Sequence, residues 1–268
     1  MGVGVGHAGE SYGIASDFNT GLIYDVDLQT GEFSNPRATG IYRFGGLEFA
    51  GSELYGLSTD VAAGALYRID QQTGASTLIG SLGQTRVVEG DLAYDPGTGR
   101  MFGSQNVYPN LGNSVFELDL ASGKVIFSRI IRDVGDLDGL AFDGGGNLWA
   151  MDVTNDMLLR LDTSNMHVLE TVELSQDIVT SSGIDWDPSS RTMYLIEGKS
   201  NRETLYTVDL GTGEVAHVGD VQVPGRMSAI TIVPAPASVS GVLLGASAVL
   251  RRRRSCRHAG VAVGVGAA

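Results

Sequence analysis

One hairpin is written five times along this chain. LIYDVDLQTGEF (Leu22–Phe33), LYRIDQQTGAST (Leu66–Thr77), VFELDLASGKVI (Val115–Ile126), LLRLDTSNMHVL (Leu158–Leu169) and LYTVDLGTGEVA (Leu205–Ala216) each carry an aspartate before a turn, at Asp27, Asp70, Asp119, Asp162 and Asp209. Those aspartates are 43, 49, 43 and 47 residues apart. A second motif keeps the same spacing: GLEFAGSELYGL, DLAYDPGTGRMFGS, GLAFDGGGNLWAMD and GIDWDPSSRTMYLI begin at Gly46, Asp91, Gly139 and Gly183, each ahead of its own copy of the hairpin. Two motifs with one common period define a repeat array. Within a repeat the apolar runs are four to eight residues long, rich in Leu, Val, Phe and Trp, and bounded by Gly, Asn and Asp. Runs of that length with those boundaries are strands, so Asp138–Asp162 and the run that follows it predict a four-stranded antiparallel meander.

A period of roughly 45 residues with four strands in each is the sequence signature of a β-propeller. The ends of the array complement each other. Only one strand, Tyr12–Ser16, fits before Leu22, and Ala229–Val233 (AITIV) reads as an innermost strand with no hairpin after it. Pairing the two removes two exposed sheet edges. The expectation is an all-β fold of five four-stranded antiparallel blades over residues 11–233, with the ring closed by Ala229–Val233. A chain of 268 residues with 38 glycines is long enough for one such domain and supplies its many turns.

Charge narrows the partners. The formal net charge is −13, yet every acid precedes residue 235 and Arg251, Arg252, Arg253, Arg254 and Arg257 follow it, leaving 13 basic against 31 acidic residues, or −18, in the body. Nucleic acids and anionic membranes bind through Lys and Arg on phosphate, so this body should bind neither. The lone cysteine, Cys256, makes no internal disulfide and no four-ligand zinc site.

The pattern G-(L/I)-x-(F/W)-D-x-x-x-x-(L/M)-(W/Y) in Gly139–Trp149 and Gly183–Tyr194, followed by L-(Y/L)-x-(V/I/L)-D, resembles the secreted NHL-like and YncE-like propellers. The resemblance spans roughly residues 11–233 and implies architecture. On function it is nearly silent, because such folds host lyases, lactonases, ligand binders and scaffolds.

In a propeller, the loops entering the innermost strands and those joining second to third strands gather around one mouth of the central channel. The entry loops place Arg43, Glu89, Asp91, Asp136, Asp138, Ser182 and Arg226 there, and the second set places Asp17, Asn19, Asp60, Asn106, Tyr108, Asp152, Asn155, Glu197 and Asn201. Of these Arg43, Glu89, Asp91, Asp136, Asp138 and Arg226 are the candidate ligand-binding residues. Carboxylates and amides are hard oxygen ligands, so calcium is the cation they would suit, and gluconolactonase-type propellers hold such a cation. The competing reading is turn chemistry, since Asp and Asn side chains hydrogen-bond nearby backbone. No catalytic residue is assigned. His167 and His217 fall at outermost strands, and His7 and His258 near the termini, so none is placed to activate a nucleophile. The turn aspartates are expected to accept amides of their own turns, and Trp149 and Trp186 to pack between blades.

The ends differ in character. Residues 1–10 read as the remnant of a signal peptide or a disordered tail. Val233–Arg254, VPAPASVSGVLLGASAVLRRRR, gives Pro234, Ala235 and Pro236, the uncharged stretch Ala237–Leu250, and then Arg251, Arg252, Arg253 and Arg254. That order resembles a PEP-CTERM sorting signal, with Ala235 where the family's name has Glu, and it implies processing by an exosortase-type enzyme. The 14 residues 237–250, as a short hydrophobic helix at about 1.5 Å per residue, fall short of the ~30 Å hydrocarbon core. The arginines belong on the cytoplasmic side. Residues 255–268 read as a disordered tail. The expectation is an exported propeller, transiently anchored in the inner membrane through residues 237–250 and then delivered to the cell surface or extracellular matrix. There it would be a non-catalytic binding or structural protein, with exopolysaccharide or surface matrix as its partner. A calcium-dependent lactonase-like hydrolase or lyase at the acidic mouth is the alternative.

Overall fold

The computed structural model describes residues 11–59, 64–83, 87–105, 113–179, 182–199, 202–221 and 225–234. These form twenty strands in five antiparallel sheets of four, a five-bladed propeller. The chain divides into two units, Met1–Pro236 and Ala237–Ala268. The second lies outside the described residues, and with it the expected apolar helix and Arg251–Arg254; Ala235 and Pro236, at the end of the first unit, lie outside them too. Among the described residues no helix is long and apolar enough to cross a membrane.

The first blade is closed by both ends of the array. It runs β20 (Met227–Ile232), β1 (Tyr12–Asp17), β2 (Leu22–Asp27), β3 (Phe33–Ala38). Ile14 faces Thr231, Ala15 faces Ile230 and Ser16 faces Ala229 across the closure. The closing strand starts two residues earlier than the sequence suggests, and the Val233 amide still donates to the Tyr12 carbonyl at 2.9 Å. The second blade holds β4 (Phe44–Ala50), β5 (Glu53–Ser58), β6 (Ala65–Ile69) and β7 (Ser76–Ser81). The third holds β8 (Leu92–Asp95), β9 (Arg100–Gln105), β10 (Ser114–Leu118) and β11 (Val125–Ile130). The fourth holds β12 (Leu137–Phe142), β13 (Leu148–Asp152), β14 (Met157–Leu161) and β15 (Val168–Glu173). The fifth holds β16 (Ser182–Asp187), β17 (Thr192–Lys199), β18 (Arg202–Val208) and β19 (Val215–Val221).

Burial follows position in the blade. Every residue of β12 and β13 is buried, whereas β15 keeps one buried residue, Val172. Inner strands are covered on both faces by neighbouring blades, which is why they read as continuous apolar runs rather than as alternation. Five apolar clusters fill the five gaps between blades. Phe102 and Val115 meet Leu140, Leu148 and Leu159 between the third and fourth blades, and Tyr24 and Val26 meet Tyr194, Ile196 and Leu205 between the fifth and first. In all five blades the pairing of the third strand with the outermost one shifts register, for example between Leu66 and Tyr67 and between Arg160 and Leu161. A bulge there increases the local twist of the blade edge.

The turn aspartates behave as the sequence suggests. Asp27 Oδ1 accepts the amides of Gln29 and Thr30 at 2.8 and 3.0 Å, and Asp70 and Asp209 repeat the pattern with their own turns. Those amide bonds hold Asp70 and Asp209 below the usual carboxylate range. Trp149 is buried between blades with its Nε1 donating to Asp143 at 3.0 Å.

Candidate functional site: an acidic channel mouth

The strands that line the channel enter it from one face, and the loops gathered there bring together four of the six candidate residues. The carboxylate oxygens of Glu89, Asp136 and Asp138 lie within 4.8 Å of one another. Arg226, entering β20, donates to Glu89 Oε1 at 2.8 Å and stands 4.8 Å over the Phe18 ring. Asp136 and Asp138 converge because β12 begins irregularly, its register shifting between Leu137 and Leu140. This corrects the expectation that Asp138 belongs to the entry loop, since it is a buried strand residue. The neighbouring Asp152 is a structural support. Its carboxylate takes the amides of Gly135 at 2.9 Å and Asp136 at 3.3 Å and the Asn155 side-chain amide at 2.8 Å, fixing the loop that carries Asp136.

The other two candidates are not part of this cluster. Arg43, in the left-handed conformation at φ 53°, places its guanidinium 5.8 Å from the Tyr42 ring centroid and contributes its carbonyl to Thr59. Asp91 lies deeper, where its oxygens accept the amides of Leu92 at 2.9 Å and Leu140 at 3.3 Å. Ser104 ties it to the mouth by accepting the Asp91 amide at 2.9 Å and donating to the Asp138 carbonyl at 2.8 Å. Asp60, Asn106, Tyr108 and Asn201 fall outside the described residues.

Below the mouth the channel holds two acids that the sequence reading passed over. Glu48 in β4 and Asp185 in β16 occupy the same place in the innermost strand that Ala93, Ala141 and Thr231 take in the other blades. An acid where other repeats carry alanine was the available signal. Asp185 accepts the Trp186 amide at 2.7 Å, the Ile232 amide at 2.6 Å and the Thr231 hydroxyl at 3.2 Å. Burial nevertheless pushes it up to about 7. Glu48 and Asp91 are pushed well upward too, first by burial and then by the neighbouring carboxylates, although backbone amides oppose the rise. Desolvation disfavours the charged form of each, and like charges add to it.

The mouth is small. The cavity lined by Phe18, Gly45, Glu89, Asp138, Arg226 and Ser228 has a volume of about 10 Å³, room for one water or one bare ion. Pockets for organic ligands run to several hundred Å³. Three carboxylates fit a hard cation such as calcium in donor type, but one oxygen of Glu89 already serves Arg226. His217 lies at a blade edge 3.1 Å from Asp220, and His167 is exposed, so neither histidine faces the channel.

Fold and mouth together define a five-bladed β-propeller with an acid-lined channel. Among solved structures the chain is similar to one from the crystal structure of a nidogen/laminin complex, with 14% identity over 84% of this chain and 99% of that one and a TM-score of 0.55. It is also similar to glutaminyl cyclase of Myxococcus xanthus, with 16% identity over 67% of this chain and 70% of that one and a TM-score of 0.50. The periplasmic gluconolactonase of Pseudomonas aeruginosa is similar at 16% identity over 85% of this chain and 69% of that one, with a TM-score of 0.46. At these identities the likeness is one of fold. No protein-family model and no curated protein matches the sequence.

Proposed function

We propose that this chain is an exported, non-catalytic propeller that binds polymer at the cell surface or in the extracellular matrix, and that its tail is a PEP-CTERM-type sorting signal. The observation that carries the binding reading is the contrast between mouth and rim. The cavity beside Glu89, Asp138 and Arg226 is of the size of an ion, while open grooves of about 520 and 640 Å³ lie on the surface of the blades. One is lined by Ser128, Arg129, Arg132 and His167, the other by Glu53, Arg68, Gln72 and Thr77. Hydroxyls, amides and guanidinium groups along an open groove suit an extended saccharide, which offers hydrogen bonds over its whole length. The tail reading rests on the order Pro234, Ala235, Pro236, apolar 237–250, Arg251–Arg254. A short segment rich in Ala, Gly and Ser is a weak anchor, as a transient one should be.

A cation-dependent hydrolase or lyase is the second reading, favoured by the convergence of Glu89, Asp136 and Asp138. One experiment separates the two. The purified full chain is mixed with surface polysaccharide extracted from the native host and sedimented, and in parallel assayed with lactone substrates in calcium and in EDTA. Co-sedimentation without turnover is expected. Calcium-dependent lactone hydrolysis that is lost in Asp138→Asn would replace the binding reading with the enzymatic one.

A further inference from the structure

Two buried carboxylates at the seam where the ring closes take no part in the channel mouth's acid triad. Asp17, the last residue of β1, is 0% exposed, and Glu203, in β18 of the fifth blade, is 1% exposed. Asp17 Oδ1 accepts the amides of Asn19 at 2.8 Å, Thr20 at 3.1 Å and Arg226 at 3.4 Å, while its Oδ2 has no hydrogen-bond partner. Neither oxygen of Glu203 receives a well-formed hydrogen bond, the Met227 amide lending it partial support.

The two acids converge on Met227. It is the Cα partner of Asp17 across the closing strand pair, and its amide is the one near Glu203. Both carboxylates face bare backbone. A Cβ at Gly225 would run into Asp17 Oδ2, and one at Gly198 would stand 3.1 Å from Glu203 Oε2. Glycine at both positions lets the backbone approach the two carboxylates at distances that a Cβ would not allow. A third acid, Glu197, is wholly buried in β17, with its oxygens accepting the Val179 amide at 2.8 Å and the Tyr206 hydroxyl at 3.3 Å. The cation beside them, Arg226, is held by Glu89 and stacked on Phe18.

Burying an uncompensated carboxylate is costly, so such a pair calls for a proton or a cation. Burial first, then the charges of Asp17 and Glu197, push Glu203 up to about 8, with Arg226 and the Met227 amide acting the other way. We propose that Asp17 and Glu203 bind a divalent cation, calcium by donor type, which ties the closing strands β1 and β20 to β18 of the fifth blade. The ion would stabilise the ring where its two chain ends meet. The proposal is independent of the polymer-binding reading.

The test is thermal unfolding and calcium binding of the full chain at pH 7.5, comparing millimolar calcium chloride with EDTA. Calcium should raise Tm by several degrees. Glu203→Gln and Asp17→Asn should each weaken the calcium dissociation constant measured by equilibrium dialysis at least tenfold and abolish the Tm shift. Asp138→Asn, in the separate channel-mouth triad, should keep the shift. Two variants guard against one failing to fold. The proposal is overturned if wild-type Tm ignores calcium, if both seam variants keep the wild-type shift, or if Asp138→Asn alone removes it. Wild-type stability that follows pH without responding to calcium would also overturn it, because a proton would then be neutralising the pair.

Discussion

Raising the pH should unfold this acidic protein more readily, and Asp185 gives the size of the effect. Its pKa is about 7 in the fold against an ordinary 3.8, because burial in the channel outweighs three hydrogen-bond donors. A folded-state pKa above the unfolded one means that the folded chain holds the proton more tightly. Stability is therefore fully present below about pH 4 and is lost as pH rises toward 7. A shift of roughly three units corresponds to about 4 kcal/mol, a large share of the 5–15 kcal/mol typical of a domain. Glu48 and Asp91 act in the same direction. The carboxylates held low, such as Asp143 and Asp187, act oppositely but lose their contribution only as pH falls below the usual carboxylate range, outside this window. Urea unfolding in EDTA from pH 4.5 to 8.5 measures the slope. In Asp185→Asn the slope should flatten, and the variant should be less stable than wild type at pH 5, since the Trp186 and Ile232 backbone N–H groups go to different oxygens and the side-chain NH2 that replaces one of them cannot accept. Wild-type stability that is level or rises across this range would refute the reasoning, as would an unchanged slope in the variant.

Three further outcomes are expected. Deleting residues 227–232 removes the strand that completes the first blade and bares the edge of β1, so the variant should aggregate or lose its cooperative unfolding transition, read by light scattering and circular dichroism. Gly219→Ala places a Cβ against the Thr30 carbonyl across the seam between fifth and first blades, which should cost about 1–3 kcal/mol in denaturant unfolding, while Gly51→Ala, with open space around it but a φ of 66°, should cost only the backbone strain of about 1 kcal/mol. Mass spectrometry of protein from the native host should find a C-terminus near Val233–Pro236, without Arg251–Arg254, in envelope or medium. Intact Arg251–Ala268 on cytoplasmic protein would overturn the sorting proposal.

Repeat spacing determined the fold. Each hairpin writes its own turn, with Asp27, Asp70 and Asp209 bonded to amides two and three residues on, so the blade count and the complementary chain ends were legible in local patterns. The gathering of Glu89, Asp136, Asp138 and Arg226 was legible too, because loop position within a repeat assigns each loop to one face of the ring. Depth was not. Asp138 sits in a strand rather than a loop because β12 starts early through a register shift, and a bulge leaves little trace in a short apolar run. Glu48 and Asp185 showed only as acids where other repeats have Ala or Thr, and nothing local says that such a position points into a closed channel. The meeting of Asp17 with Glu203 depends wholly on closure. The two belong to the first and last copies of the repeat, and only the pairing of β20 with β1 brings the end of the chain back to its beginning and buries both carboxylates at Met227.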